Sequence, residues 1–250
     1  MNFFFILNGK ALKQLVVIVI AAFFTAWVFY AETIVQIPAF STNDGPKAVY
    51  KGEKDVALTF NIGWGDEKAG PILEVLEKHK VPAATFFLSG SWAERHPDLV
   101  NRIEKNGYEI GMLGYEYKDY SELEDAKMKQ DIMKAQTAFK KLNVKEIELL
   151  RAPTGHFNDA TLKTAERFGY TLVHWSLDSK DWTNPGTEKI VKNVSQAKKG
   201  DIVLLHASDS AKQTANALPS IIEDIKSKGL KMVTVSSMLA NGESQSSEIN

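Results

Sequence analysis

From Val56 onward the chain alternates between two hydrophobic periods. Short runs rich in β-branched and aromatic residues recur at Val56–Phe60, Ala83–Leu88, Glu109–Leu113, Leu149–Ala152, Tyr170–Ser176, Ile202–His206 and Lys231–Val235. Their length and composition predict buried strands. Between them apolar residues fall at helical spacing, over Ala69–His79, Asp98–Asn106, Glu122–Leu142, Ala160–Phe168, Glu188–Ala197, Ala215–Lys228 and a short stretch at Met238. Punctuation agrees with this division. Pro97 stands near a helix start, and Gly107, Gly169, Gly200 and Gly229 follow helix ends. Asn158 is placed as an N-cap, and Ser121 with Glu124 has the spacing of a capping box. Strands separated by helices predict an α/β fold with a parallel sheet. A doubly wound sheet and a (β/α) barrel both accommodate the pattern. The strand count favours a distorted seven-stranded barrel.

The first part of the chain follows a different rule. Lys10 and Lys13 precede an apolar run, Leu15–Ala31, broken only by Thr25 and closed by Glu32. The run is slightly short of the ~20 residues that span a bilayer. Lysines before it predict a cytoplasmic N-terminus with the rest outside. Phe29, Tyr30 and Ala31 make a poor cleavage site. The expectation is an uncleaved, single-pass transmembrane helix within residues 1–32. A linker over 33–48, one domain over 49–240 and a disordered tail over 241–250 follow from it. Composition adds two exclusions. Net charge is −1, so no nucleic-acid footprint is visible. Cysteine is absent, which removes thiol nucleophiles, thiolate metal sites and disulfides.

If the strands are parallel, their C-terminal ends share one face, and ligands bind there. Reading those ends in order gives Asn61 and Ile62, then Leu113 to Tyr117, then Arg151, then Asp178 and Asp181, then His206. Arg151, Asp178, Asp181 and His206 are distant in sequence, yet the topology brings them to one mouth. A set of ionisable groups gathered this way is a candidate site.

The motifs at these ends resemble the polysaccharide deacetylase family, the carbohydrate esterases with a NodB-type homology domain. Arg151-Ala152-Pro153 matches its Arg-x-Pro motif. Asp178-Ser179-Lys180-Asp181-Trp182 matches Asp-x-x-Asp-Trp, and Leu204-Leu205-His206 matches Leu-x-His. Together with the N-terminal anchor, the run Leu58–Asp66 is most similar to the PdaB-type sporulation deacetylases of spore-forming bacilli. The resemblance spans residues 49–240. It implies a distorted (β/α) barrel and metal-dependent removal of acetyl groups from peptidoglycan or chitin-like glycans. It implies His206 as the acid, Asp181 as the group that orients it, and Arg151 as the partner of the base. Asp178 belongs to the same set. Trp64, Tyr115, Trp182 and Leu204 are candidates for glycan contact.

The other half of the family's site is substituted. Thr59-Phe60-Asn61-Ile62-Gly63 stands where the family has Thr-Phe-Asp-Asp-Gly, so Asn61 holds the base position and Ile62 a metal-ligand position. Leu113 and Tyr117 hold the two histidine-ligand positions. Asparagine cannot take a proton from water in the useful pH range. Isoleucine and leucine carry no donor atom, and a phenol ionises only near pH 10. Metal and base supply the electrophile and the nucleophile of such a reaction. Two readings follow: a deacetylase that has lost or much reduced its reaction, with no metal expected, and a non-catalytic glycan-binding or scaffold protein of the cell wall or spore cortex. Asp66, Glu116 and His156 are the nearby residues from which a substitute metal site would have to be built.

Overall fold

The computed structural model describes residues 45–144 and 147–240, the strand residues 41–42 and 245–247, and scattered helical positions between 13 and 25. The chain divides into two units, Met1–Ala39 and Phe40–Asn250. The anchor expected over Leu15–Ala31 lies for the most part outside the described residues. Among the described residues, no helix is long and apolar enough to cross a membrane.

The second unit is built on seven parallel strands: β1 Ala57–Ile62, β2 Thr85–Leu88, β3 Glu109–Met112, β4 Leu149–Leu150, β5 Thr171–Leu172, β6 Leu177–Asp178 and β7 Ile202–His206. Their order across the sheet is β5-β4-β3-β2-β1-β7-β6, a half-barrel in which β1 lies between β2 and β7. Among the described residues of this unit, eight helices accompany them: α1 Ala69–Lys78, α2 Gly90–Arg95, α3 Pro97–Lys105, α4 Asp125–Lys141, α5 Asp159–Arg167, α6 Thr187–Val194, α7 Thr214–Ser227 and α8 Val235–Ala240.

Every residue of β1 is buried, because both faces of a parallel sheet are covered. Leu58, Phe60 and Ile62 pack with helix residues such as Ile72, Leu73 and Trp92 in the layer outside the sheet. Ala57 packs instead with Phe87, Leu113 and Val173 in the interior. The period of two therefore sends Thr59 and Asn61 inward. The interior is closed at the N-terminal ends of the strands by α8, whose Val235 and Met238 join that inner cluster.

Two departures from the expected strands have physical causes. Lys231–Val235 does not form a strand. Val56 N–H bonds to the Lys231 carbonyl at 2.9 Å and Val233 N–H to the Val56 carbonyl at 3.0 Å, but pairing goes no further. The Val235 N–H is claimed by Thr85 Oγ1 and Glu109 Oε2, both at 3.0 Å, and the chain turns into α8. Tyr170–Ser176 is divided. It leaves one edge of the sheet and joins the other: Val173 N–H bonds Leu150, His174 N–H bonds Val49, and Ser176 N–H bonds Ile202. The seventh strand is thus β6, in a stretch where the pattern placed neither strand nor helix.

Helix α4 starts later than expected, at Asp125 with Glu124 as a cap that makes no side-chain bond. Ser121 lies outside the helix, in a turn where its N–H and its hydroxyl both donate to Asp119 Oδ1, at 2.9 and 2.6 Å. Asn158 does cap α5, with a reciprocal bond pair to Thr161. Helix α2 went unseen in the pattern. It opens directly from the end of β2 with Ser89 accepting the Trp92 N–H at 3.2 Å. Gln245–Ser247, within the stretch expected to be a disordered tail, pairs antiparallel with Ala48–Lys51.

Candidate active site

The C-terminal ends of the strands open onto a cavity of about 430 Å³, lined by Asn61, Trp64, Tyr117, Trp175, Asp178, Trp182, Leu204 and His206 among others. The register of the sheet centres it. His206 of β7 stands directly beside Asn61 of β1, both at the end of their strands.

Of the residues that match the family's motifs, Asp181 and His206 are tied together by hydrogen bonds. Asp181 is fully buried at the start of a single 3-10 turn, Asp181–Thr183. Its Oδ1 bonds His206 Nδ1 at 2.7 Å. Its Oδ2 accepts the His206 N–H and the Thr214 hydroxyl, each at 2.7 Å. Three bonds fix the carboxylate, and the carboxylate fixes the imidazole. With Nδ1 engaged, Nε2 is the nitrogen left for the cavity, the geometry a proton donor to a leaving group requires. Asp178 lines the same cavity, but its charge is spent. Oδ1 takes the Lys180 N–H at 2.7 Å, and Oδ2 pairs with Lys180 Nζ at 2.8 Å.

Arg151 is fully buried beneath Asn61. Nη1 donates to Thr59 Oγ1 and to Asn61 Oδ1, both at 2.9 Å. Nη2 donates to the His174 carbonyl at 2.9 Å and Nε to the Val173 carbonyl at 3.2 Å. The guanidinium lies 4.0 Å from the Phe87 ring centroid and 5.6 Å from that of Trp175. Each of these partners is neutral. Burial pushes the guanidinium down to about 9, with a weak opposing pull from Tyr117. It is a cation held at neutral pH without an acidic partner.

The family's ligand positions are filled by packing. Ile62 is fully buried in the helix-facing layer and Leu113 in the interior cluster, so the two belong to different cores. Tyr117 has a left-handed backbone, φ 57°. Its ring lies flush on Gly63: a Cβ at that glycine would stand 2.5 Å from a ring carbon. Burial pushes the Tyr117 phenol further up. This donor set does not fit a divalent metal. The substitute candidates do not converge either. Asp66 pairs with His96 Nε2 at 2.9 Å, and Glu116 pairs with Lys118 and Lys134. His156 reaches the cavity but bonds Asp119 Oδ2 at 2.7 Å. Among the described residues, no group of three His, Cys, Asp or Glu side chains is placed to hold a metal ion.

Of the four candidates for glycan contact, Trp64, Trp182 and Leu204 line the cavity and Tyr115 does not. Its hydroxyl donates to Glu94 Oε2 at 2.8 Å, and its N–H is held by Asp131 Oδ2 at 2.7 Å. Asp131 also accepts the Glu116 N–H and the Tyr120 hydroxyl, which turns the loop after β3 toward α4. Ser208 was missed by sequence reasoning. It lines the cavity, and its hydroxyl accepts the Gly63 N–H at 3.1 Å. Its position two residues after His206, just past a strand end, was the available signal.

The mouth of the half-barrel thus carries a carboxylate-held histidine and, beneath Asn61, a buried arginine. The sequence profile described as Polysaccharide deacetylase matches residues 48–173, and the chain belongs to that family. A peptidoglycan-N-acetylglucosamine deacetylase of Bacillus cereus is 41% identical over 195 residues, covering 76% of this chain and 91% of its own. A pseudoenzyme of carbohydrate esterase family 4 from Bacillus anthracis, known as a crystal structure, superposes with a TM-score of 0.72 at 29% identity, over 78% of this chain and 69% of its own. A mutant of that pseudoenzyme, described as having restored enzymatic activity, gives the same TM-score and identity over 72% of its chain.

Proposed function

We propose that this protein is a deacetylase-fold protein of the bacterial cell or spore envelope that has given up metal-dependent deacetylation and keeps an acetylated cell-wall glycan as its ligand. The observation that carries this reading is the bond from Arg151 Nη1 to Asn61 Oδ1. At the one position where the reaction needs a carboxylate base, a neutral amide is locked in place by the residue that should serve that base. The Tyr117 ring over Gly63 adds to it, since it fills the approach to the same turn. The similarity to a family member described as a pseudoenzyme supports the reading as well. Peptidoglycan and chito-oligosaccharide, on which relatives act by their names, are the glycans proposed. His206 and Asp178 line the binding site with Trp64, Trp182 and Leu204, while Asp181 and Arg151, both fully buried, hold His206 and Asn61 from behind. The run Leu15–Ala31 anchors the chain, with the domain outside the cytoplasm, and sporulation is the proposed setting.

The test is metal analysis of the purified protein together with acetate release from peptidoglycan and chito-oligosaccharide. The expected result is glycan binding without metal-dependent turnover. Stoichiometric zinc with turnover that a chelator abolishes would overturn the proposal.

A further inference from the structure

Trp64 and Trp182 each leave 49% of their surface exposed, and both line the cavity. Met133 on α4 is the other large apolar side chain exposed to this degree among the described residues past 45. Two exposed indoles on one cavity are a costly arrangement unless something covers them.

One short segment holds both turns that carry them. Ser208–Lys212 follows β7 directly. On one side, the Asp209 carboxylate accepts the N–H groups of Asp66, Glu67 and Lys68 at 2.9, 2.9 and 3.1 Å. Ser208 Oγ accepts the Gly63 N–H at 3.1 Å. Gly65, at φ 104°, fits only because it has no side chain; a Cβ there would lie 2.5 Å from Asp209 Cγ. These bonds grip the turn that bears Trp64 on both sides of the indole. Trp92 Nε1 holds the same turn from α2, donating to the Gly65 carbonyl at 2.7 Å. On the other side, Asn184 Nδ2 donates to the Ser210 carbonyl at 2.7 Å, and Asn184 Oδ1 accepts the Lys212 N–H at 2.9 Å. Asn184, with φ 52°, is the residue that ends the 3-10 turn bearing Trp182.

We infer that Ser208–Lys212 is a brace that fixes Trp64 and Trp182 as paired stacking platforms for consecutive sugar rings of one glycan chain, with Asp209 and Asn184 as its positioning residues. The inference rests on the reading that this cavity holds a glycan. Its physical basis is pre-organisation. A mobile indole pays ordering entropy when a sugar ring stacks on it, whereas one held by its turn has paid on folding. Neither Asp209 nor Asn184 lines the cavity, so each acts on the ligand through the tryptophan it holds.

The test is binding of the N-acetylglucosamine tetramer and monomer to the full chain, by calorimetry and tryptophan fluorescence. The tetramer should bind the wild type more tightly than the monomer. Trp64→Ala and Trp182→Ala should each weaken tetramer binding by about tenfold or more. Asp209→Ala should weaken it by several-fold in the wild type and not at all in the Trp64→Ala background; Asn184→Ala should behave likewise with Trp182→Ala. That coupling separates positioning from a general loss of stability, which would act equally in both backgrounds. If Asp209→Ala fails to fold, Asp209→Asn, which keeps one acceptor oxygen, carries the same comparison. An equal loss in both backgrounds, or no loss in the wild type, overturns the brace while leaving the glycan reading standing. A wild type that binds neither sugar overturns both.

Discussion

Arg151 donates to Asn61 Oδ1 at 2.9 Å, and this bond defines the state of the site. The acceptor is in the right place and has the wrong charge. A buried cation is ordinarily kept by a paired anion, and removing one partner of such a pair costs ~3–5 kcal/mol because the other charge is left uncompensated. Here the cation survives on neutral acceptors and two aromatic faces.

Asn61→Asp is therefore expected to stabilise the protein at neutral pH. It changes no volume and supplies the missing anion within hydrogen-bond distance of Nη1. A gain of about 1–3 kcal/mol is expected, less than the cost of breaking a native pair because the neutral acceptors already recover part of it. Denaturant unfolding of the two proteins at pH 7 measures it. An unchanged or lowered midpoint would mean that the second carboxylate beside Asp181 and His206 costs more than the pair returns.

Restoring the metal side should be harder, and the two cores show why. Ile62→Asp places a carboxylate in the helix-facing layer among Leu58, Phe60 and Trp92, so alone it should destabilise by about 3–5 kcal/mol. Leu113→His and Tyr117→His disturb the interior cluster and the Gly63 contact instead. The fourfold variant Asn61→Asp, Ile62→Asp, Leu113→His, Tyr117→His should be unstable without metal and gain several degrees in Tm with excess zinc, by mass action on the folded state. A Tm that zinc leaves unmoved would show that the backbone no longer offers the ligand geometry.

The legible part of this molecule was what short-range pattern dictates. Val56–Phe60 reads as a buried strand from its composition, and the strand ends then bring Asn61, Arg151, Asp181 and His206 to one mouth. What the pattern missed was decided by particular polar bonds that composition and period do not show. Lys231–Val235 has strand composition, yet Thr85 and Glu109 take its last N–H and start a helix. Ser121 has the spacing of a cap, yet Asp119 two residues earlier claims its hydroxyl. Tyr115 stands at a strand end like its neighbours, yet Asp131, sixteen residues later, holds its N–H and Glu94 takes its hydroxyl. Each is a case of a local preference outbid by a polar group whose position only the fold reveals.

The Asp181–His206 pair should resist substitution for reasons of stability as well as chemistry. Asp181→Asn keeps the shape but replaces one acceptor oxygen with a donor. Its amide nitrogen would face either the His206 N–H and Thr214 hydroxyl, losing buried bonds, or the imidazole, forcing His206 into the other tautomer. A loss of about 2–4 kcal/mol is expected. Nitrogen-15 spectra of His206 should also show a mixed tautomer where the wild type shows one. Wild-type stability with a single tautomer in the variant would mean that the backbone, not the carboxylate, holds the ring.

Asp119, at the rim beside His156, gives the molecule an acid limit. Burial works to raise its carboxyl, but bonds from the Ser121 hydroxyl and N–H, His156 and Thr154 outweigh it and lower the group from 3.8 to about 2. A carboxylate lowered on folding contributes its stability fully above the unfolded value near 4, and loses it as pH falls toward 2. The contribution is on the order of 2 kcal/mol. Asp119→Asn should therefore destabilise the protein at pH 6 by about that amount and flatten the wild-type fall in stability between about pH 4 and 2. Urea unfolding at pH 6, 4 and 2.5 on both proteins decides it. Parallel curves would show that the acid limit is set by other carboxylates, with Asp209, lowered by the N–H groups of Asp66, Glu67 and Lys68 against its own burial, the next to substitute.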